Sequence, residues 1–152
     1  MKRVVFIGTI GCGKTTLGQA LHGDELRYKK TQAVEIIGRD IRDTPGEFLE
    51  RRDRRGALMM TTMDAEVIVF IESATEERSM FPPGYAGSYA KPVIGVVTKI
   101  DIANEEQIAR AVKKLEFAGA RTIFKVSSTT GEGLDALTEF LTEEASDEET
   151  EF

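Results

Sequence analysis

A chain of 152 residues with 41% hydrophobic and 30% charged side chains has the length of one domain and the balance of a soluble protein, with no need of a covalent staple. Its single cysteine, Cys12, excludes an internal disulfide and points to a reducing, cytoplasmic home. The formal charge of −6 is concentrated in 142–152, T-E-E-A-S-D-E-E-T-E-F, which leaves a balanced body and no argument for nucleic acid.

Lys2 and Arg3 precede only four apolar residues, too few for a secretory signal. No apolar run approaches the length that crosses a bilayer, so no membrane partner is expected. One domain is expected over residues 1–144, followed by an acidic tail, 145–152, with the composition of a disordered end.

Along the chain, short β-rich apolar runs stand at Val4–Ile7, Ala33–Ile37, Val67–Ile71, Val93–Val97 and Thr122–Val126. Between most of them the apolar residues take helical spacing: Leu17, Ala20 and Leu21; Leu49, Leu58 and Met59; Ile108, Val112 and Leu115 along 104–118; Leu134, Leu137 and Leu141 along 132–143. Alternation of this kind implies right-handed βαβ units, hence an α/β fold with helices on both faces of a mostly parallel sheet. Two places break the pattern. Between Thr31 and Asp43 there is room only for a short antiparallel hairpin, turning at Gly38-Arg39. The segment S-M-F-P-P-G-Y-A-G-S-Y-A-K-P, 79–92, holds too much Pro and Gly for a full helix and reads as an ordered aromatic loop. Ligands of such sheets bind at the carboxyl ends of the strands.

Four motifs stand at those ends. Gly8-Thr9-Ile10-Gly11-Cys12-Gly13-Lys14-Thr15 matches G-x-x-x-x-G-K-[ST], directly after a strand and before a helix, with Thr16 following. Its main-chain N–H groups and the helix N-terminus form a concave anion site. Lys14 can reach the β- and γ-phosphates of a nucleotide, and the Thr15 hydroxyl can ligate Mg²⁺.

Asp43-Thr44-Pro45-Gly46 alone is an ordinary turn; its spacing from Lys14 makes Asp43 the acidic Mg²⁺ partner of Thr15 and places the Gly46 N–H to sense a γ-phosphate. Thr98-Lys99-Ile100-Asp101 follows the fourth run. Guanine presents N1–H and a 2-amino group on one edge, both of which a carboxylate accepts. Adenine lacks that pair and would leave Asp101 unmatched, while the Lys99 stem can lie along the base plane. In Val126–Leu134, Ser127 and Ser128 can offer N–H groups to guanine O6, and Thr130 can cap a helix beginning near Glu132.

In this order the motifs resemble those of Ras-like P-loop small GTPases, and the match runs the length of the chain. The very short K-K-T-Q-A-V-E-I-I-G-R-D-I-R-D-T-P-G stretch and the F-P-P-G-Y-A loop, where a helix usually lies, resemble the ethanolamine- and propanediol-utilisation family EutP/PduV. The resemblance implies a three-layer P-loop NTPase fold that binds GTP and GDP with Mg²⁺ and hydrolyses GTP. It implies a role beside bacterial microcompartments and a shell protein as a partner. Thr31 matches the switch threonine that closes on Mg²⁺ and the γ-phosphate, so Asp24–Lys30 and Pro45–Arg55 would be the two switches. An ATP-dependent phosphotransfer to a small acceptor, the acetate kinase activity attached to the ethanolamine branch, is an alternative. A non-catalytic nucleotide-binding module docking through the F-P-P-G-Y-A loop or the acidic tail is another.

Several positions depart from the pattern. Glu47 replaces the water-positioning glutamine; a glutamate can serve as a base, but its charge sits badly beside a γ-phosphate. Ile10 obstructs the route by which a partner would insert an arginine finger, and Gly11 stands where potassium-activated relatives carry asparagine. These imply slow turnover without potassium activation. Arg51, Arg52, Arg54 and Arg55, interleaved with Glu50 and Asp53, read as a solvated helical face. His22 is expected near the end of the first helix, facing solvent.

Overall fold

The computed structural model describes residues 3–8, 12–29, 41–43, 65–77 and 81–142, without the side chains of Thr15, 23–29 and 41–43. Among them the β-rich runs become five strands: β1 (Val4–Gly8), β2 (Ile41–Asp43), β3 (Val67–Ser73), β4 (Val93–Thr98) and β5 (Ile123–Lys125). They form one sheet in the order β2-β1-β3-β4-β5, every neighbouring pair parallel. Three long helices pack on it: α1 (Lys14–Lys29), α2 (Glu105–Phe117) and α3 (Leu134–Thr142).

Alternation within each strand divides the core between two faces. Val4, Phe6, Val67, Val69, Ile71, Ile94 and Val96 join Leu17 and Leu21 of α1 and Leu134, Leu137 and Leu141 of α3. Val5, Ile7, Ile68, Phe70, Val93 and Val97 join Ala111 and Leu115 of α2. This is the expected three-layer α/β arrangement. Helix α2 comes close to the sheet because β4 carries Gly95, where a Cβ would meet Leu115 Cδ1 at 3.0 Å.

A second layer element on the α2 face is not a long helix. Phe81 stacks on Phe70 with ring centroids 4.5 Å apart, and Tyr85 lies 5.7 Å from the same ring. The Tyr89 hydroxyl donates to that of Tyr85 at 2.9 Å. Only one 3-10 turn forms, Tyr85–Ser88. Its approach is fixed by Gly84 N–H donating to the Phe117 carbonyl and Ala86 N–H to the Ala118 carbonyl, both at 2.8 Å. These bonds also satisfy carbonyls that α2 would otherwise leave open at its end. Phe81 and Tyr85 are buried, so the rings of the expected docking loop face the core.

Some expectations are corrected. Helix α1 continues to Lys29, so 24–29 are helical backbone, not a loop; nothing in Asp24-Glu25-Leu26-Arg27-Tyr28-Lys29 breaks a helix. His22 is accordingly well inside α1 and half-buried. Strand β3 runs on through Glu72 and Ser73, polar yet buried, because their backbones pair with Val97 and Thr98. The run Ala33–Ile37, the hairpin turn at Gly38-Arg39 and the helical segment around Leu49–Met59 lie outside the described residues.

Candidate functional site

All five strands point their carboxyl ends the same way, and the motifs gather there. β1 delivers Gly8 and α1 begins at Lys14. At Gly8 a Cβ would lie 2.5 Å from Cys12 Sγ and 2.9 Å from the Ile71 carbonyl oxygen. No side chain fits there, which is why the strand must turn on glycine. Gly13 has φ +98°, in the region that favours glycine. The Lys14 side chain folds back: it is 8% exposed, and its Nζ donates to the Gly8 carbonyl at 3.2 Å. The ammonium is therefore held at the loop's own rim before any anion arrives.

Thr98 connects this loop to the next motif. Its hydroxyl, on a residue 2% exposed, donates to the Cys12 carbonyl at 2.7 Å. A Cβ on Gly13 would come within 3.9 Å of Lys99 Cε, so the lysine stem crosses over the phosphate loop. Lys99 has φ 64° and ψ 33°, and is the one non-glycine residue with positive φ among the described residues. Strain of this kind gathers at ligand clamps. It turns the chain into a 3-10 turn, Ile100–Ile102, which is tied down by Ile100 N–H donating to the Val126 carbonyl at 3.3 Å. Asp101 is exposed on that turn. Asn104 then caps α2 through a reciprocal bond pair with Gln107, at 2.8 and 2.9 Å.

The loop after β5 is built largely from its own main chain. Ser127 N–H donates to the Glu132 carbonyl at 2.9 Å, and Gly131 N–H to the Ser127 carbonyl at 2.9 Å. The Ser127 hydroxyl accepts from Thr130 N–H at 3.0 Å. Ser127 is thus buried and committed to shaping the loop, and its N–H is not the one left for a ligand. Half-buried Ser128 is the open position. Thr130 accepts from Glu132 N–H at 3.2 Å in a local turn and does not cap a helix, since α3 starts at Leu134.

Thr15 is the second residue of α1, and the register Phe6↔Asp43 sets Asp43 at the end of β2 beside the phosphate loop. A hydroxyl and a carboxylate are the hard oxygen donors that Mg²⁺ takes. Thr16 is exposed in the first turn of α1. Thr9, Ile10, Gly11, Thr31, Gly46, Glu47 and the arginines at 51–55 lie outside the described residues. The structure therefore brings together Gly8, Cys12, Gly13, Lys14, Thr98 and Lys99, with Asp101 on the turn that follows Lys99 and Ser128 on the loop after β5. The Thr98–Cys12 bond has no signature in the sequence, because no spacing rule relates residues 86 apart.

No helix among the described residues is long and apolar enough to cross a membrane, and no group of three or more metal-ligating side chains occurs among them. Comparison with known proteins agrees with the geometry. The model of the family described as "Ethanolamine utilisation - propanediol utilisation", PduV-EutP, matches residues 1–143. The chain is 40% identical over 141 residues to "Propanediol utilization protein PduV" of Citrobacter freundii, covering 93% of each. It is 32% identical over 142 residues to "Probable acetate kinase EutP" of Escherichia coli K12, covering 93% of this chain and 89% of that one.

Among solved structures, the FeoB G-domain of Methanococcus jannaschii matches with a TM-score of 0.64 at 21% identity, over 93% of this chain and 95% of that one. Translation elongation factor SelB of Methanococcus maripaludis matches with a TM-score of 0.57, also at 21% identity; the chain covers 92% of its own length but only 32% of SelB. At such identities these two matches speak to the fold. A P-loop at the mouth of a parallel sheet, the G-domain fold, and a family match across nearly the whole length lead to one conclusion: the chain is a P-loop protein belonging to the ethanolamine- and propanediol-utilisation family, PduV-EutP.

Proposed function

We infer that the protein binds GTP and GDP with Mg²⁺ and hydrolyses GTP slowly, in ethanolamine or propanediol utilisation and in association with a microcompartment. The observation that carries this reading is the exposed carboxylate of Asp101, held on a strained turn that is bonded to the phosphate loop through Thr98 and Cys12. A nucleotide with its phosphates at Gly8–Thr15 would lay its base under the Lys99 stem, its N1–H and 2-amino group toward Asp101 and its O6 toward the Ser128 N–H. Adenine would set its 6-amino donor against that N–H and offer Asp101 no donor pair.

The chain's own contribution to reaction is positioning and charge. Lys14, drawn in by the Gly8 carbonyl, is preorganised to meet the β- and γ-phosphate oxygens. Thr15 and Asp43, with Thr31, would hold Mg²⁺, which when bound neutralises charge on the same oxygens. Gly46 N–H would meet the γ-phosphate. Glu47 is a poor water-positioner beside an anion, which keeps turnover slow. Phosphate release from GTP under single-turnover conditions tests this: a slow, Mg²⁺-dependent release lost in Lys14→Ala supports it, and no release at any enzyme concentration contradicts it.

A second reading rests on a specific comparison, the relatives that carry the name "Probable acetate kinase". On that reading the triphosphate is ATP and the γ-phosphoryl passes to a small carboxylate. Trapping of acetyl phosphate with hydroxylamine, in the presence of acetate and either triphosphate, separates the two. Hydroxamate formed from ATP favours phosphotransfer, and phosphate released without it favours hydrolysis.

A further inference from the structure

With Asp101 toward the N1–H and the 2-amino group and Ser128 toward O6, one polar atom of the guanine edge is left over. This is N7, an acceptor beside O6. It stands on the side of the ring that leads from O6 back to the glycosidic nitrogen, hence toward the sugar and the phosphates. The side chain that spans the same interval in the protein is Thr98, which ends β4 shortly before Asp101 and bonds the phosphate loop at Cys12. A Cβ on Gly13 would lie 3.7 Å from its hydroxyl oxygen.

N7 needs a hydrogen, and a hydroxyl has one to give. Two carbonyl oxygens compete for that of Thr98, the one of Cys12 at 2.7 Å and the one of Glu72 at 3.5 Å. The residue is not placed to release it. Thr98 is buried, its carbonyl accepts from Ala74 N–H at 2.9 Å, and a β-branched side chain is stiff at χ1. Toward any further neighbour the oxygen presents lone pairs, which repel the lone pair of N7.

Two neighbouring N–H groups are committed in the same way. That of Ile100 donates to the Val126 carbonyl at 3.3 Å, and that of Ser127 to the Glu132 carbonyl at 2.9 Å. The Ser127 hydroxyl faces Thr130 N–H at 3.0 Å, inside its own loop. The Lys99 stem crosses the phosphate loop, its Cε 3.9 Å from a Cβ on Gly13, and would meet the face of a base, not its edge.

We propose that the site reads guanine by N1–H, the 2-amino group and O6, and leaves N7 unread because Thr98 has spent its hydrogen on the phosphate loop. The ligand class is then wider than guanine: 7-deazaguanine nucleotides, which carry a C–H in place of N7, bind as well. This rests on the guanine reading of the proposed function.

The test is titration calorimetry of the full chain, with Mg²⁺, against GDP, 7-deaza-GDP and inosine diphosphate, which lacks the 2-amino group. GDP and 7-deaza-GDP should agree within about twofold, and inosine diphosphate should bind about tenfold more weakly, since it leaves Asp101 with one donor fewer. A loss of about fivefold or more with 7-deaza-GDP, beside the loss with inosine diphosphate, overturns the inference and leaves the guanine reading standing. Equal affinity for GDP and inosine diphosphate overturns the guanine reading, and this inference with it. Thr98→Val gives a second measurement. It should weaken GDP and 7-deaza-GDP by the same factor, because the lost bond supports the loop and not the base. A ratio between the two that moves about fivefold or more from its wild-type value would show that the hydroxyl reads N7, and would overturn the inference.

Discussion

The Thr98 hydroxyl donates to the Cys12 carbonyl across 2.7 Å, joining a strand end to a loop 86 residues earlier. One hydrogen atom thereby links the glycine loop, where the proposed function sets the phosphates, to the turn where it sets the base. Because a hydroxyl has a single hydrogen to give, Thr98 positions the loop and has no donor left for the base itself. On the proposed reading, specificity is left to Asp101 and Ser128.

Thr98→Val keeps the shape and removes the Thr98 hydrogen bond to the buried Cys12 carbonyl, a loss of about 1 kcal/mol. GDP affinity, read by titration calorimetry, should fall about tenfold, whereas Thr98→Ser should retain it. Equal affinities for Val and wild type would show that the link does not support binding.

Two glycines in the loop before α3 separate backbone strain from steric contact. Both have positive φ, Gly131 at +88° and Gly133 at +80°. No described residue lies within 4 Å of a Cβ on Gly131, but one on Gly133 would fall 2.1 Å from the Lys125 carbonyl oxygen. Gly131→Ala should cost about 1 kcal/mol and Gly133→Ala about 3 kcal/mol or more. Urea denaturation of the two variants would show this order, and the reverse order would contradict the loop geometry.

Thr138 lies in α3, 4% exposed, and its hydroxyl oxygen has no hydrogen-bond partner among the described residues. Thr138→Val removes that polar atom at nearly constant shape. It should raise stability by about 1 kcal/mol, seen as a higher melting temperature, and a lower one would mean that the hydroxyl is satisfied.

Phe81 fills the α2-side core in place of a helix, against Phe70 and Tyr85. Phe81→Ala should cost about 3–5 kcal/mol. At a temperature where the variant stays folded, its GDP affinity should match wild type, since the ring packs in the core and not in the crevice. A large fall in affinity in the folded variant would tie the aromatic segment to the nucleotide site.

What was legible in the sequence is what depends on neighbours along the chain. Apolar runs placed β1, β3 and β4, helical spacing placed α2 and α3, and G-T-I-G-C-G-K-T announced itself because the strand, loop and helix that give it meaning are contiguous. What depends on distant pairing was not legible. Ser127 carries the same backbone donor as Ser128 in the sequence; only the folded loop shows it spent on Glu132. The Pro- and Gly-rich segment 79–92 predicted irregular backbone but not the direction of its rings, because Phe70 draws them inward from a strand well before it. The switch motif hides the end of α1, because 24–29 match a switch loop by position while their own propensity is helical.

The central claim, a crevice that reads guanine, is tested most directly by titration calorimetry of GDP and ADP with Mg²⁺ on the wild type and on Asp101→Asn. The account predicts a clear preference for GDP in the wild type, and in the variant a shift toward xanthine nucleotides, whose 2-oxo group matches an amide donor. ADP binding equal to or tighter than GDP, and indifferent to Asp101, would contradict it and bring the phosphotransfer reading forward.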